Sequence, residues 1–154
     1  QRSLGNRSII ADPRNVENIQ KINHSIKMRD FWMPFAPVIL FEQQDKLLEN
    51  PKKIDSPFMT IAFKTIDGKN KIPVGIHQSD QTARAQLLRK TQNPILWELI
   101  NKFYEKTSIP ALVNTSFNLH GEPIVKDLKD ALRVFKNSGL DVLWLENHII
   151  EKIN

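Results

Sequence analysis

Residues 114–125 read NTSFNLHGEPIV, with Asn114, Thr115, Ser116 and Asn118 almost in a row and Gly121, Glu122 and Pro123 behind them. Hydroxyls and amides each offer donor and acceptor capacity, which suits orienting a phosphate or an amide. The same residues suit a turn network closed by Gly-Glu-Pro, although one turn needs only one or two of them. Three other stretches carry comparable chemistry. In RSLGNRS, Arg2 and Arg7 flank Gly5 and Asn6 and lead to Ser8; guanidinium forks and backbone N–H groups there could meet an oxyanion, or the stretch is a solvated basic loop. In KMRDFWMPFAP, Lys27 and Arg29 lie on one side of an extended segment and meet Phe31 and Trp32. Two cations beside apolar rings suit a phosphate-and-base site; equally, the rings are core and the cations surface. In HQSDQTARAQ, His77, Asp80, Thr82 and Arg84 suit an acid–base pair or a turn with a surface arginine.

The elements that must position these residues follow from periodicity. Val16, Ile19, Ile22 and Ile26 give a helix over 15–27. Segments 35–41, 56–65 and 72–77 read as strands, separated by a partly helical stretch that Pro51 ends and by a DGKNK loop. Asn93 caps a helix with Pro94 in its first turn and Leu96, Leu99, Ile100 and Phe103 as its stripe. PALVN is a buried strand. Asp127 opens a helix that turns Leu128, Ala131, Leu132 and Phe135 inward and ends at Asn137-Ser138-Gly139. DVLWLEN and HIIEKI close the chain as strands. This alternation predicts an open, mixed α/β sheet with packed helices, whose ligands bind beside strand ends.

Composition narrows the function. A chain of 154 residues with 40% hydrophobic and 25% charged residues suits one folded domain. Its net charge of +5 favours an anionic partner: nucleic acid, a membrane surface or a phosphorylated small molecule. With no cysteine, thiolate catalysis and Cys-ligated zinc are excluded. The four histidines lack metal-ligand spacing, so no metal site is assigned. No apolar run approaches the ~20 residues of a membrane span and no signal-peptide core is present, so a cytoplasmic protein is expected. The sequence contains no Walker loop, GxSxG or GxGxxG. It opens on QRSLGNRS without a methionine, which points to a piece of a longer protein.

Five stretches in order, RSLGNRSIIADPR, IKMRDFWMPFAP, TARAQ, PALVNTSFNLHGEPIV and DALRVFKNSGLDVLWL, resemble the C-terminal domain of bacterial O-carbamoyltransferases of the nodulation and antibiotic-biosynthesis type. The likeness covers nearly the whole chain, and five ordered matches are far more specific than any one. It implies a YrdC-like open, twisted mixed sheet over residues 1–154, following an ATPase-fold domain that carries a metal. The YrdC-like part would bind ATP with Mg²⁺ and carbamoyl phosphate and make carbamoyl adenylate. The other domain would pass the carbamoyl group to a sugar-like or natural-product hydroxyl. KMR resembles the Lys-x-Arg of stand-alone YrdC-like enzymes, and TSFNLHGEP resembles their S-A-N-x-S-G-E-P.

By that resemblance Lys27, Arg29 and Arg84 carry the chemistry, with Arg2 and Arg7 completing the anion-binding rim. Ser8, Asn114, Thr115, Ser116, Asn118 and Gly121 would cradle the intermediate. No covalent nucleophile is needed; catalysis rests on positioning and charge neutralisation. The chain departs from the pattern in three places. Met33 stands where arginine usually precedes PFAP, removing a charge-assisted contact of about 1.5–3 kcal/mol. Gln81 takes the glycine position of D-G-T-A-R, and His77 lies one residue further from Asp80 than usual. The expected partners are the two ligands and the preceding domain, with a homodimer left open and neither membrane nor nucleic acid favoured. A non-catalytic YrdC-like nucleotide- or RNA-binding module is the alternative, since its basic charge suits weak phosphate contacts. Threonylcarbamoyl-adenylate chemistry is a third, which the motifs at both ends of the chain disfavour.

Overall fold

The most aliphatic runs become the centre of the sheet. In the computed structural model, which describes residues 3–23, 26 and 34–152, β2 (Ala36–Leu40) lies between β6 (Ala111–Ser116) and β5 (Gln86–Leu88), and β1 (Ser8–Ala11) lies outside β6. β1 and β2 both run antiparallel to β6, whereas β5 runs parallel to β2. This is the open mixed sheet expected from the sequence. Alternation along the strands separates its faces. Ile39, Leu87 and Ala111 join Leu47, Phe63, Ile72 and Ile76 on one side, and Ile9, Val113 and Phe117 continue that side beneath Ala131, Val134 and Phe135. Val38, Leu40, Leu88 and Leu112 face the other way and meet Leu96 and Ile100.

Those two residues belong to α3 (Pro94–Thr107), whose Asn93 side chain accepts from Leu96 N at 3.1 Å, as its cap position predicts. α4 (Leu128–Lys136) is capped by Asp127, which accepts from Asp130 N at 2.9 Å. It buries Ala131, Val134 and Phe135 but leaves Leu128 57% exposed, so the inward stripe expected from the sequence is rotated toward Val134. The first helix is α1 (Val16–Ile22); Ile22 and Ile26 reach the core, while Val16 is exposed. The closing strands form a separate hairpin, β7 (Val142–Leu145) with β8 (His148–Glu151), anchored through Leu143. No helix among the described residues is long and apolar enough to cross a membrane.

Two expected strands are otherwise. Within 56–65 only Phe63–Lys64 (β3) is a strand, paired with Thr82–Ala83 (β4). The earlier part is a strap along the edge of β5: Ser56 O accepts from Leu87 N at 2.8 Å, and Ser56 Oγ donates to Ala85 O at 3.1 Å. Residues 72–77 form a 3-10 turn at Pro73–Gly75, because Ile72 and Ile76 anchor in one cluster while Val74 anchors in the other. The DGKNK loop contains a single helical turn, α2 (Gly68–Lys71).

The loop before β1 closes on α3 only because residue 5 is glycine. Gly5 has φ +102, and a Cβ there would lie 2.4 Å from Leu96 Cδ2. Gly5→Ala therefore lowers stability by about 2 kcal/mol or more in urea unfolding. Its cost and that of Leu96→Ala combine to less than their sum, since both act on one contact.

Candidate functional site

The α3-covered face of the sheet changes character along β2. Under α3 it is aliphatic; at the other end stands Ala36, only half-buried although β2 is a central strand. Asn114 is its register partner on β6, and Gln86 on β5 pairs with Val38 one step further on that face. Asn114 Nδ2 donates to Gln86 Oε1 at 2.8 Å and to Ser3 O at 3.3 Å. Ser3 O can only accept, so the amide's orientation is fixed and Asn114 Oδ1 faces away, buried without a partner. Leaving such an acceptor unpaired costs about 1–3 kcal/mol.

Beyond Asn114, Ser116 pairs in register with Ser8. Ser8 Oγ accepts from Gly5 N at 3.0 Å and is hydrogen-bonded to Ser3 Oγ, which also donates to Arg7 O at 2.9 Å. Ser116 Oγ donates to Asn118 Oδ1, and Asn118 Nδ2 donates to Leu119 O and Glu122 O at 2.8 Å each. Arg7 Nη1 donates to Val125 O at 3.1 Å, and Phe117 N donates to Arg7 O at 3.0 Å. The structure thus brings Arg7, Ser8, Asn114, Ser116 and Asn118 to one end of the sheet, from two stretches more than a hundred residues apart.

The other sequence-selected residues lie differently. Thr115 points to the opposite face beside Ile9, as strand alternation requires, and is 8% exposed. Gly121, at φ +75, sits in an exposed turn with open space where a Cβ would be. Arg84 is exposed two residues before Gln86, with no ion pair or hydrogen bond to a described residue. Arg2, Lys27, Arg29 and Met33 lie outside the described residues. The chain on either side of 27–33 is held at this end: Ile26 O accepts from His120 N at 2.9 Å, and Ala36 pairs with Asn114. Ser3 and Gln86 were not selected from the sequence. The available signal for Gln86 was a polar side chain inside the buried run of AQLL.

His77 belongs to a surface turn. Its Nδ1 is 3.0 Å from Ser79 Oγ and 3.4 Å from Asp80 Oδ1, while Asp80 Oδ1 accepts from Thr82 N and Oγ1 at 2.9 and 2.8 Å. The Thr82 backbone N–H, more than His77, holds the Asp80 carboxyl below its ordinary range. Among the described residues no three His, Asp or Glu gather as metal ligands. A groove of about 650 Å³ lies elsewhere, on the outer side of α4, lined by Leu128, Lys129, Leu132, Arg133, Lys136 and Asn137. It is open surface, and Arg133 is already engaged by Glu122 through Nη1–Oε1 at 2.9 Å and Nη2–Oε2 at 2.8 Å.

The structure is an open mixed α/β sheet with hydroxyl and amide groups gathered beside its strand ends. The family described as carbamoyltransferase C-terminus matches residues 1–152, and the chain belongs to it. It is 40% identical to nodulation protein NolO of Bradyrhizobium diazoefficiens over 98% of this chain and 28% of that protein. It is 30% identical to the 3'-hydroxymethylcephem-O-carbamoyltransferase of Streptomyces clavuligerus over 86% of this chain and 24% of that one. An uncharacterized protein of Methanocaldococcus jannaschii is 46% identical over 99% of this chain and 29% of its own length. The chain thus spans under a third of each of these relatives.

The Gln81 departure has a visible backbone basis. Residue 81 has φ +59, the left-handed region where glycine is unstrained. The conformation is held by Gln81 N donating to His77 O at 2.9 Å and by Gln81 O accepting from Thr65 Oγ1 at 2.7 Å. Gln81→Gly raises stability by about 1 kcal/mol, seen as a higher melting temperature.

The Glu122–Arg133 pair fastens the turn after Asn118 to α4. Hydrogen bonds from Arg133 hold the Glu122 carboxyl below its ordinary range. A lowered folded pKa gives stability that is present above the unfolded value and lost as pH falls through the folded one. Melting temperature therefore falls less steeply below about pH 4.3 in Glu122→Gln than in the wild type.

Proposed function

We propose that this chain is the carbamoyl-activating domain of a longer carbamoyltransferase. It binds ATP with Mg²⁺ and carbamoyl phosphate and forms carbamoyl adenylate. An ATPase-fold domain of the same protein then transfers the carbamoyl group to a hydroxyl of a sugar-like or natural-product acceptor. Atom balance requires carbamoyl phosphate to lose its phosphoryl group to water as inorganic phosphate. The carbamate oxygen then bonds to the α-phosphorus of ATP, and the bond to the β-phosphate oxygen breaks, releasing pyrophosphate.

One observation carries this reading: the polar sheet end around Ser8, Ser116 and Asn118 coincides with the anchors of the segment holding Lys27 and Arg29. Lys27 follows Ile26, whose carbonyl accepts from His120 N. Arg29 and Lys27 supply charge to the phosphates in this scheme, Arg7 and Arg84 line the rim, and the neutral groups orient the intermediate. Mg²⁺ would neutralise the nucleotide phosphates, and the chain's own part is positioning and charge neutralisation. The carbamoyltransferase name of the Streptomyces clavuligerus relative supports carbamoyl transfer as the overall reaction.

The test is pyrophosphate release from the wild-type chain, which should require ATP, Mg²⁺ and carbamoyl phosphate together. Lys27→Ala abolishes it, and Ser116→Ala slows it about tenfold, the loss of one oriented hydrogen bond. Unchanged turnover in Lys27→Ala removes that residue from the mechanism.

A further inference from the structure

We infer that Gln86 is a positioning residue: its side chain, bridged to Asn114 across Ala36, sets Arg84 relative to Ser116 and Asn118. β5 and β6 are not neighbours, since β2 runs between them. Adjacent strands lie about 4.8 Å apart, and Gln86 stands opposite Val38 while Asn114 stands opposite Ala36, two residues away, so the bridge runs diagonally over about 12 Å. Two extended amides cover that distance, meeting with Nδ2 of Asn114 2.8 Å from Oε1 of Gln86. They cross β2 diagonally, passing from the Val38 position opposite Gln86 to the small Ala36 opposite Asn114. A larger residue at 36 would occupy the crossing.

The bridge links three segments. Asn114 also holds Ser3 O at 3.3 Å, which ties in the loop bearing Arg7 and Ser8. On the far side, Arg84 precedes Gln86 by two residues, the spacing at which an extended chain returns to one face. Ala85 between them turns into the opposite cluster with Leu87. Both amides are at least 97% buried, Asn114 being 1% and Gln86 3% exposed, so their role is to hold other groups. The pair is not built for stability alone: its geometry leaves Asn114 Oδ1 without a partner.

This inference rests on the proposed ATP and carbamoyl phosphate site. Calorimetric affinities for carbamoyl phosphate and Mg-ATP, with thermal melts, are compared among the wild-type chain, Gln86→Leu and Ala36→Val. Gln86→Leu and Ala36→Val weaken carbamoyl phosphate about 10- to 100-fold while still melting cooperatively. Wild-type affinity in a cooperatively folded Gln86→Leu overturns the inference. Should that variant not fold, Ala36→Val decides: intact affinity overturns the bridge's role, and weakened affinity with a cooperative melt supports it. A wild-type chain that binds neither ligand overturns the proposed function, and the positioning role falls with it.

Discussion

Two protons on the Asn114 amide hold together the polar end of the sheet. One goes to Gln86 on β5 and the other to the Ser3 carbonyl in the loop before β1. They add to the backbone ladders and to the bonds from Ser3 Oγ to Thr115 O and from Arg7 to Val125 O, and among these side-chain ties only the one to Gln86 reaches β5. Each such bond contributes about 1 kcal/mol net, but removing one partner leaves a buried donor costing about 1–3 kcal/mol. Ser8 and Ser116 face each other through the β1–β6 ladder, and the Asn114 amide adds the link across β2 to Gln86.

A second buried amide pair shows what a closed network looks like. Asn50 Nδ2 donates to Gln44 Oε1 at 2.6 Å and to Ile54 O at 2.9 Å, while Asn50 Oδ1 accepts from Ile54 N at 3.0 Å. Gln44 Nε2 donates to Phe41 O at 2.8 Å. These side chains are 3% and 1% exposed, and they pin the loop after the 3-10 turn at Phe41–Lys46. At Asn114 the same chemistry stays incomplete. One buried amide pair closes all its hydrogen bonds, whereas the pair in the sheet leaves Asn114 Oδ1 open.

How far the sequence could be read depended on how local each signal is. α3 and α4 announce themselves through a cap residue and a stripe, both contained within one segment. β2 and β6 do so through aliphatic density. β5 does not, because three residues, Gln86–Leu88, carry no periodicity, and their strand character comes from pairing with β2. The apolar residues of 56–65 mislead for the converse reason: Ser56 draws that segment along an edge that needs covering. The candidate site follows the same division. The row from Asn114 to Asn118 was conspicuous by composition, but its first three members lie in a strand, which sends Thr115 to the far face. Gln86 gains meaning only once Asn114 is known to lie across β2.

The chemistry of the polar end also explains why it is built mainly of neutral groups. A guanidinium or ammonium fixed in the floor of a sheet would lose its hydration permanently, a penalty of several kcal/mol that no ligand offsets while the site is empty. Hydroxyls and amides can be buried at much lower cost if they bond to one another, as Ser3, Ser8, Ser116 and Asn118 do. They are then fixed dipoles whose orientation need not change when a polar ligand arrives. Arg84, by contrast, is exposed, and its long side chain can keep its head in water. Neutral groups bonded to one another in the sheet, with the cation Arg84 left at the surface, keep this polar end from destabilising its own sheet.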